Sequence, residues 1–298
     1  MGRRWREAAL GYVLVVPALG IFGLFAFYPL VRTAQLGFFE APIFPGLPSH
    51  YVGFSQYFEV LSSSAFLGDL WRTVLFVLLT VPAGIALGLA MAVLAHKRLA
   101  GIKIFRTIFS STVATSVAVA SVIFFSLLNP QVGLFAYWLG QRGGGGILEN
   151  PTWALPAVAV TTIWQNLGFT FILMSAALQS VPDEMTEAAA LDGAGSSRRF
   201  WRITLPLLSP QLFFASVVGT IIGFQAFGQI DILTQGGPNN HTEVLIYDIY
   251  QTAFGQNATA DPGRAAVMAI ALFAILLLLS AAQFWFFQRR VFYADARD

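Results

Sequence analysis

An all-α membrane protein of six transmembrane helices is the fold class this sequence predicts, and three observations predict it. Apolar residues make up 56% of the chain and charged residues only 11%, with mean hydropathy +0.68, outside the range of ordinary soluble domains. Charge is segregated, leaving Ala8–Val31, Thr73–Ala95, Thr107–Gln141, Asn150–Pro182, Ile203–Ile230 and Ala265–Gln288 free of Asp, Glu, Lys and Arg. Each run exceeds the roughly 20 residues a helix needs to cross a bilayer. The basic residues then sort by side: with six spans, 13 of the 17 fall on the side that holds both termini. The positive-inside rule makes that side cytoplasmic. Buried helices of a soluble protein would need polar faces that these runs lack.

The elements follow in order. Residues 1–9 form a cytoplasmic N-terminus with Arg3, Arg4 and Arg6. Span one covers roughly 10–31; it is long and has no small-residue cleavage site, so a retained signal anchor is expected. Ala41 to Pro48 carries three prolines and reads as an irregular outer loop, and Tyr51 to Leu61 is an aromatic-rich interfacial segment. Spans two and three, 73–95 and 107–128, are joined by a short basic turn. Gly143 to Gly146, in the next outer loop, lacks a following Lys-Ser/Thr and reads as flexible chain rather than a phosphate cradle. Spans four, five and six occupy 154–178, 211–230 and 265–288, within a single membrane domain of residues 10–290, and 291–298 is a cytoplasmic tail. Gly84, Gly88 and Ala92 in span two, and Ala215, Gly219 and Gly223 in span five, form small-residue stripes. Span three is rich in Ser, Thr and Ala between Ser110 and Ser121. Such faces let helices approach closely, within this subunit or against a partner.

Between spans four and five lies a polar island, Ser180 to Pro210, more structured than a connecting loop requires. Ser180 and Asp183 have capping-box spacing, Pro182 suits a first turn, and Asp183, Glu184 and Glu187 are acids where a helix dipole favours them. Gly193 ends or bends that helix. Ser196 or Ser197 can cap a second one carrying Phe200, Trp201, Ile203 and Leu205 until Pro206 breaks it. A short helix pair with an exposed apolar and acidic face, held between spans on the cytoplasmic side, is a docking element.

Glu187-Ala188-Ala189, Asp192-Gly193-Ala194, Phe200, Ile203, Leu205-Pro206 and Pro210 resemble the EAA cytoplasmic loop of permease subunits in bacterial ABC importers. Gly236-Gly237-Pro238, Thr242-Glu243, Ile246 to Tyr250, Val52-Gly53-Phe54 and Phe287 to Val291 are similar to the carbohydrate-type permeases, especially those of sn-glycerol-3-phosphate systems. The resemblance implies the type I importer permease fold in the bacterial inner membrane. It implies a homologous second permease, two cytoplasmic ATPases and an extracytoplasmic substrate-binding protein as partners. Glu184, Glu187, Ala188, Ala189, Asp192, Gly193, Ile203, Leu205 and Pro206 would form the ATPase-coupling loop. The cargo implied is glycerol 3-phosphate or a glycerophosphodiester, with a di- or oligosaccharide as the alternative.

Polar groups in the spans mark a candidate pathway, since each costs free energy in hydrocarbon. Trp164, Gln165 and Asn166 lie midway along span four; Gln225, Gln229 and Asp231 lie toward the outer end of span five. Amides donate and accept together, and an aromatic face stacks on a sugar ring or glycerol chain. Interhelical hydrogen bonding is the competing role. On the outer side, Thr242 to Phe254 reads as an amphipathic helix with Ile246, Tyr250 and Phe254 along one face. Glu243, Asp248 and Tyr250 are candidate binding-protein contacts, with a lid over the bundle as the plainer alternative.

Other classes fit poorly. His50, His96 and His241 lack metal-ligand spacing, there is no cysteine and no serine stands in a nucleophile elbow, so neither a metal site nor an enzyme is read here. There is no P-loop, so ATP and Mg belong to a partner ATPase and this chain is expected to bind no cofactor. Ion-coupled secondary transport would need mid-span ionisable relays and two mirrored halves; a simple channel would leave the helix pair unexplained. The pI near 9.0 comes with a net charge of only +2, and the arginine clusters flank spans, which argues against nucleic acid as a partner.

Overall fold

A computed structural model describes residues 2–40, 49–96, 101–129, 133–135, 146–255 and 260–288, with side chains described from Tyr12 to Phe286. The loop expected at Ala41 to Pro48, Lys97, Arg98, Gly143 to Gly145, the side chains of Arg3, Arg4, Arg6, Phe287 and Gln288, and the tail 291–298 lie outside those residues. The chain forms two compact units: Met1–Leu67 with Asp248–Ala274, and Gly68–Tyr247 with Ile275–Asp298. Among the described residues, four helices are long and apolar enough to cross a membrane, Tyr12–Leu36, Ser64–His96, Ala154–Gln179 and Pro262–Phe286. Two bent helix pairs, Ile102–Ala114 with Val117–Leu128 and Ser196–Leu207 with Ser209–Phe224, bring the number to six where each pair is counted as one span.

In the first unit, span one contains a π turn, Gly23–Phe27, closed by the Tyr28 N–H on the Gly23 carbonyl. Pro29 follows at once. A proline has no N–H to give and crowds the carbonyl four residues back, and the widened turn absorbs both defects. After the span comes a short antiparallel pair, Phe39–Glu40 with His50–Tyr51, and a helix, Ser55–Ser62. Tyr57 donates its hydroxyl to the Ala34 carbonyl at 2.9 Å, and burial pushes that hydroxyl above the ordinary tyrosine pKa.

In the second unit span two is clasped between spans four and five. A β-carbon on Gly88 would come within 2.6 Å of Thr170 Cγ2, one on Gly223 within 2.9 Å of Val77 Cγ2, and one on Gly219 within 3.2 Å of Val81 Cγ1. Both small-residue stripes therefore make close contacts inside this subunit. Phe171, Met174 and Leu208 are buried with Ala92 and Ala215 toward the end that leads into the island; Phe76, Val158, Ile230 and Tyr247 form a second core.

Span three, expected as one helix over 107–128, is an elbow. Ile102–Ala114 and Val117–Leu128 meet at 107°. Ser110, Ser111 and Thr112 return their hydroxyls to the carbonyls of Arg106, Ile108 and Phe109, and Ser116 caps the second half by accepting from the Val119 N–H at 3.2 Å. Hydroxyl side chains compete with the helix ladder in this way. Span five, expected over 211–230, runs only from Ser209 to Phe224. The chain breaks at Gln225, Ala226 and Phe227, and Gly228–Leu233 is a separate short helix whose first residue faces Val117.

Candidate functional site

The island Ser180 to Pro210 folds as two helices, but its caps differ from expectation. The first helix is Asp183–Leu191, with Pro182 at the N-cap and no side-chain cap. Ser180 instead donates to the Ala177 carbonyl at 2.7 Å, finishing span four, so the Ser180–Asp183 capping box does not form. The far end behaves as expected: Gly193 has φ +77°, its N–H donates to the Ala190 carbonyl at 3.1 Å, and the Ala194 N–H donates to the Ala189 carbonyl at 2.9 Å. That bond pair is a Schellman closure, and it accounts for the glycine at 193, the one position of the turn with a positive φ.

The second helix starts at Ser196 with Gly195 as its N-cap, so neither serine caps it. Pro206 does not break it either. A π turn, Phe200–Thr204, precedes the proline and carries the helical course to Leu207, the same device as at Pro29. Arg199 Nη1 donates to the Thr186 carbonyl at 3.2 Å and ties the two helices together, a role beyond that of a topology charge. Glu184, Glu187, Ala188, Asp192, Gly193 and Pro206 are exposed; Ala189, Ile203 and Leu205 are half-buried. Met185, Leu191 and Trp201 are exposed on the same island, Leu191 at 89%. Large apolar side chains held open beside exposed acids are what a protein partner needs.

The pathway candidates scatter. Asn166 donates Nδ2 to the Thr162 carbonyl of its own helix at 2.9 Å. It lines a cavity of about 50 Å³ between spans two, four and five, walled by Thr80, Gly84, Thr170 and Gly219. That space holds a few waters and is far below the few hundred Å³ of a small-molecule site. Trp164 packs its ring on Phe124, centroids 5.5 Å apart, and Gln165 is half-buried on the same helix. Gln225 is exposed at the break after span five, Gln229 is buried in the short helix beyond it, and Asp231 is half-buried there.

At the other end of the second unit is a clamp that no sequence pattern announces. Asp69, 2% exposed, pairs with Arg72, whose Nε donates to the Glu243 carbonyl at 2.8 Å. Thr73 Oγ1 accepts from the Leu245 N–H at 2.8 Å. One turn of span two thereby holds the strand of chain entering the helix Leu245–Phe254. That helix starts three residues later than expected, because Thr242 is fully buried with its hydroxyl 2.6 Å from the Gly237 carbonyl. Its buried residues are Leu245 and Tyr247, while Tyr250 and Phe254 of the expected apolar face are exposed at 43% and 72%. Asp248 accepts from Thr252 Oγ1 at 3.1 Å, and Glu243 is half-buried.

Residues 51–292 match the family described as binding-protein-dependent transport system inner membrane component. The sn-glycerol-3-phosphate transport system permease protein of Rhizobium meliloti is 35% identical over 286 residues, covering 95% of this chain and 96% of that one. The permease of the same description from Agrobacterium fabrum is 34% identical over 289 residues, with 95% and 96% covered. Among solved structures, a chain of a bacterial alginate ABC transporter in complex with alginate pentasaccharide-bound periplasmic protein superposes with TM-score 0.81 at 20% identity, covering 97% of each chain. A chain of a bacterial ABC transporter involved in alginate import gives 0.79 at 22% identity, covering 96% of this chain and 99% of that one. These two likenesses show a shared fold. With a family match over most of its length, the chain belongs to the binding-protein-dependent transport system inner membrane components, as a membrane-embedded ABC importer permease rather than an enzyme.

Proposed function

We propose that this permease carries glycerol 3-phosphate or a glycerophosphodiester inward, as one of two homologous permeases driven by two cytoplasmic ATPases and loaded by an extracytoplasmic binding protein. The observation that carries the cargo is the 33–35% identity, over about 95% of the chain, to relatives described as sn-glycerol-3-phosphate permeases. The exposed helix pair supports the ATPase as a partner. The island Ser180 to Pro210, with its open Met185, Leu191 and Trp201, is the surface for an ATPase, and both termini lie with it in the cytoplasm. ATP and Mg are handled by that ATPase, and this chain holds no cofactor.

No Lys or Arg lies within the six charge-free runs to mark a phosphate path through hydrocarbon. Selection for phosphate is therefore assigned to the binding protein, with this subunit supplying uncharged hydrogen-bonding groups along the way. Gln225, Gln229 and Asp231 at the broken outer end of span five, with Gln165 and Trp164 on span four, are the residues proposed for that path. Glu243, Asp248 and Tyr250 are proposed to face the binding protein.

The test is uptake of labelled sn-glycerol 3-phosphate by proteoliposomes containing this chain with its co-encoded permease and ATPase, plus the cognate binding protein. Saturable, ATP-dependent uptake, competed by glycerophosphodiesters and not by maltodextrins, is the expected result. Preference for an oligosaccharide would replace the cargo; uptake driven by an ion gradient without ATP would replace the class.

A further inference from the structure

A polar socket in the first unit has no part in the roles above. Glu40 of the short strand pair, Ser55, Gln56 and Glu59 of the helix Ser55–Ser62, and Asp261 and Arg264 at the start of span six enclose about 40 Å³. Gln56 is 5% exposed, and neither its Nε2 nor its Oε1 has a hydrogen-bond partner. A buried amide with both ends unmade is costly, and such a group in a native fold calls for a missing partner. The wall behind it is closed by Gly263, where a β-carbon would sit 2.8 Å from Gln56 Nε2 and collide with the Phe39 carbonyl. A larger residue there would fill the socket.

The lining carries three carboxylates and one guanidinium. Arg264 is committed: Nη1 bonds Glu59 Oε1 at 2.7 Å, while its backbone N–H is capped by Asp261 Oδ1 at 3.0 Å. Glu40 is exposed at the rim. The socket is thus net negative, one ammonium group wide, and floored by an unsatisfied amide that can accept through Oε1. Among the described residues no three acidic or histidine side chains converge closely enough for a metal ion, so the fit is to an ammonium rather than to a divalent cation. Glu40 to Glu59 follow span one and Asp261 to Arg264 precede span six, so a six-span topology with cytoplasmic termini puts the socket on the extracytoplasmic side.

We infer that this socket receives a lysine side chain of the extracytoplasmic binding protein, its ammonium held by Gln56 Oε1 and the carboxylates of Glu40 and Glu59. The inference rests on the binding-protein partner proposed above. A socket that takes one lysine fixes the register of docking, and the exposed Glu40 steers the approach in a salt-dependent way.

The experiment uses the complete importer in lipid nanodiscs, with binding-protein affinity measured across a salt series and basal ATPase activity measured alongside. Gln56→Leu removes the buried acceptor, and the affinity is expected to fall about tenfold or more. Glu40→Lys, at an exposed position that leaves folding intact, should slow association and flatten the salt dependence. Basal ATPase activity should stay at wild type in both. Wild-type affinity in both variants overturns the socket and leaves the importer reading standing. Transport by the wild-type complex with no binding protein at all overturns both. Thermal stabilisation of the wild type, but not of Gln56→Leu, by calcium chloride alone makes the socket a metal site and overturns the lysine.

Discussion

Gly168 of span four lies directly against Thr112 at the elbow of span three: a β-carbon on the glycine would stand 2.5 Å from the threonine hydroxyl and 2.6 Å from the Val113 backbone nitrogen. The neighbour is main chain, which cannot turn aside as a flexible side chain can. The elbow therefore requires glycine at this position, for space and not for backbone freedom. Gly168→Val should destabilise the purified protein by about 1–3 kcal/mol or more, the range for overpacking a close-packed site. Gly84→Ala is the control, because a β-carbon there would meet no atom within 4 Å and the melting temperature should hardly move. Equal melting of both variants would remove the steric account of the elbow.

The island proposed to dock an ATPase offers a second test, on backbone geometry alone. Gly193 at φ +77° has open space around it, so a substitution acts through conformation and not through contact. Gly193→Pro cannot reach a positive φ and deletes the N–H that meets the Ala190 carbonyl. Gly193→Asn tolerates the left-handed region and should cost far less. The expected order of uptake is wild type, then Asn, then Pro, with all three inserted in the membrane. Full transport by a verified Gly193→Pro protein would show that the Schellman closure is not needed for coupling. Glu187→Arg, exposed on the same helix, should uncouple ATP hydrolysis from uptake without changing the melting temperature.

How far each element is legible in the sequence follows from the signal it carries. Charge-free length points to the four long apolar helices, because crossing hydrocarbon leaves little freedom in composition. It cannot locate the breaks, since the elbow at Thr112 to Ser116 and the interruption at Gln225 to Phe227 are themselves uncharged. The turn at Gly193 is legible because a glycine after an alanine-rich helix has one common use. The caps at Ser180 and Ser196 are not, because a serine at a helix boundary serves either neighbour equally well in sequence. Asp69 and Arg72 escape notice for a different reason. Their spacing is ordinary, and their meaning comes from the Glu243 carbonyl, 171 residues away.

That clamp supports a third prediction. Arg72→Met takes the guanidinium from a nearly buried Asp69 and from the Glu243 carbonyl together, and breaking a buried pair on one side costs about 3–5 kcal/mol. The double variant Asp69→Leu with Arg72→Met has no buried charge left at the pair and should recover part of that loss. Chemical denaturation of the three proteins in detergent gives the cycle. A double variant as unstable as Arg72→Met alone would mean that the hydrogen bond to Glu243, and not the ion pair, holds the turn.

The last prediction separates pathway from scaffold among the span amides. Gln225 is exposed at the break after Phe224, so Gln225→Leu leaves the packing of the bundle in place. Asn166 is committed to Thr162 and lines a cavity too small for a polyol, so Asn166→Leu changes packing whatever else it does. Losing one substrate hydrogen bond at Gln225 should lower uptake several-fold, in line with about 0.5–1.5 kcal/mol net, while the melting temperature of the complex stays near wild type. Asn166→Leu should lower both together, because it removes the intrahelical bond to Thr162 and forces the cavity wall to repack. Gln229 is proposed for the path yet is only 3% exposed in the short helix, so Gln229→Leu should lower uptake and melting temperature together. Uptake and melting temperature measured on the three leucine variants decide the matter. If Gln225→Leu transports at the wild-type rate, the exposed break in span five is not on the substrate's route, and the path must be sought along Trp164 and Gln165 of span four instead.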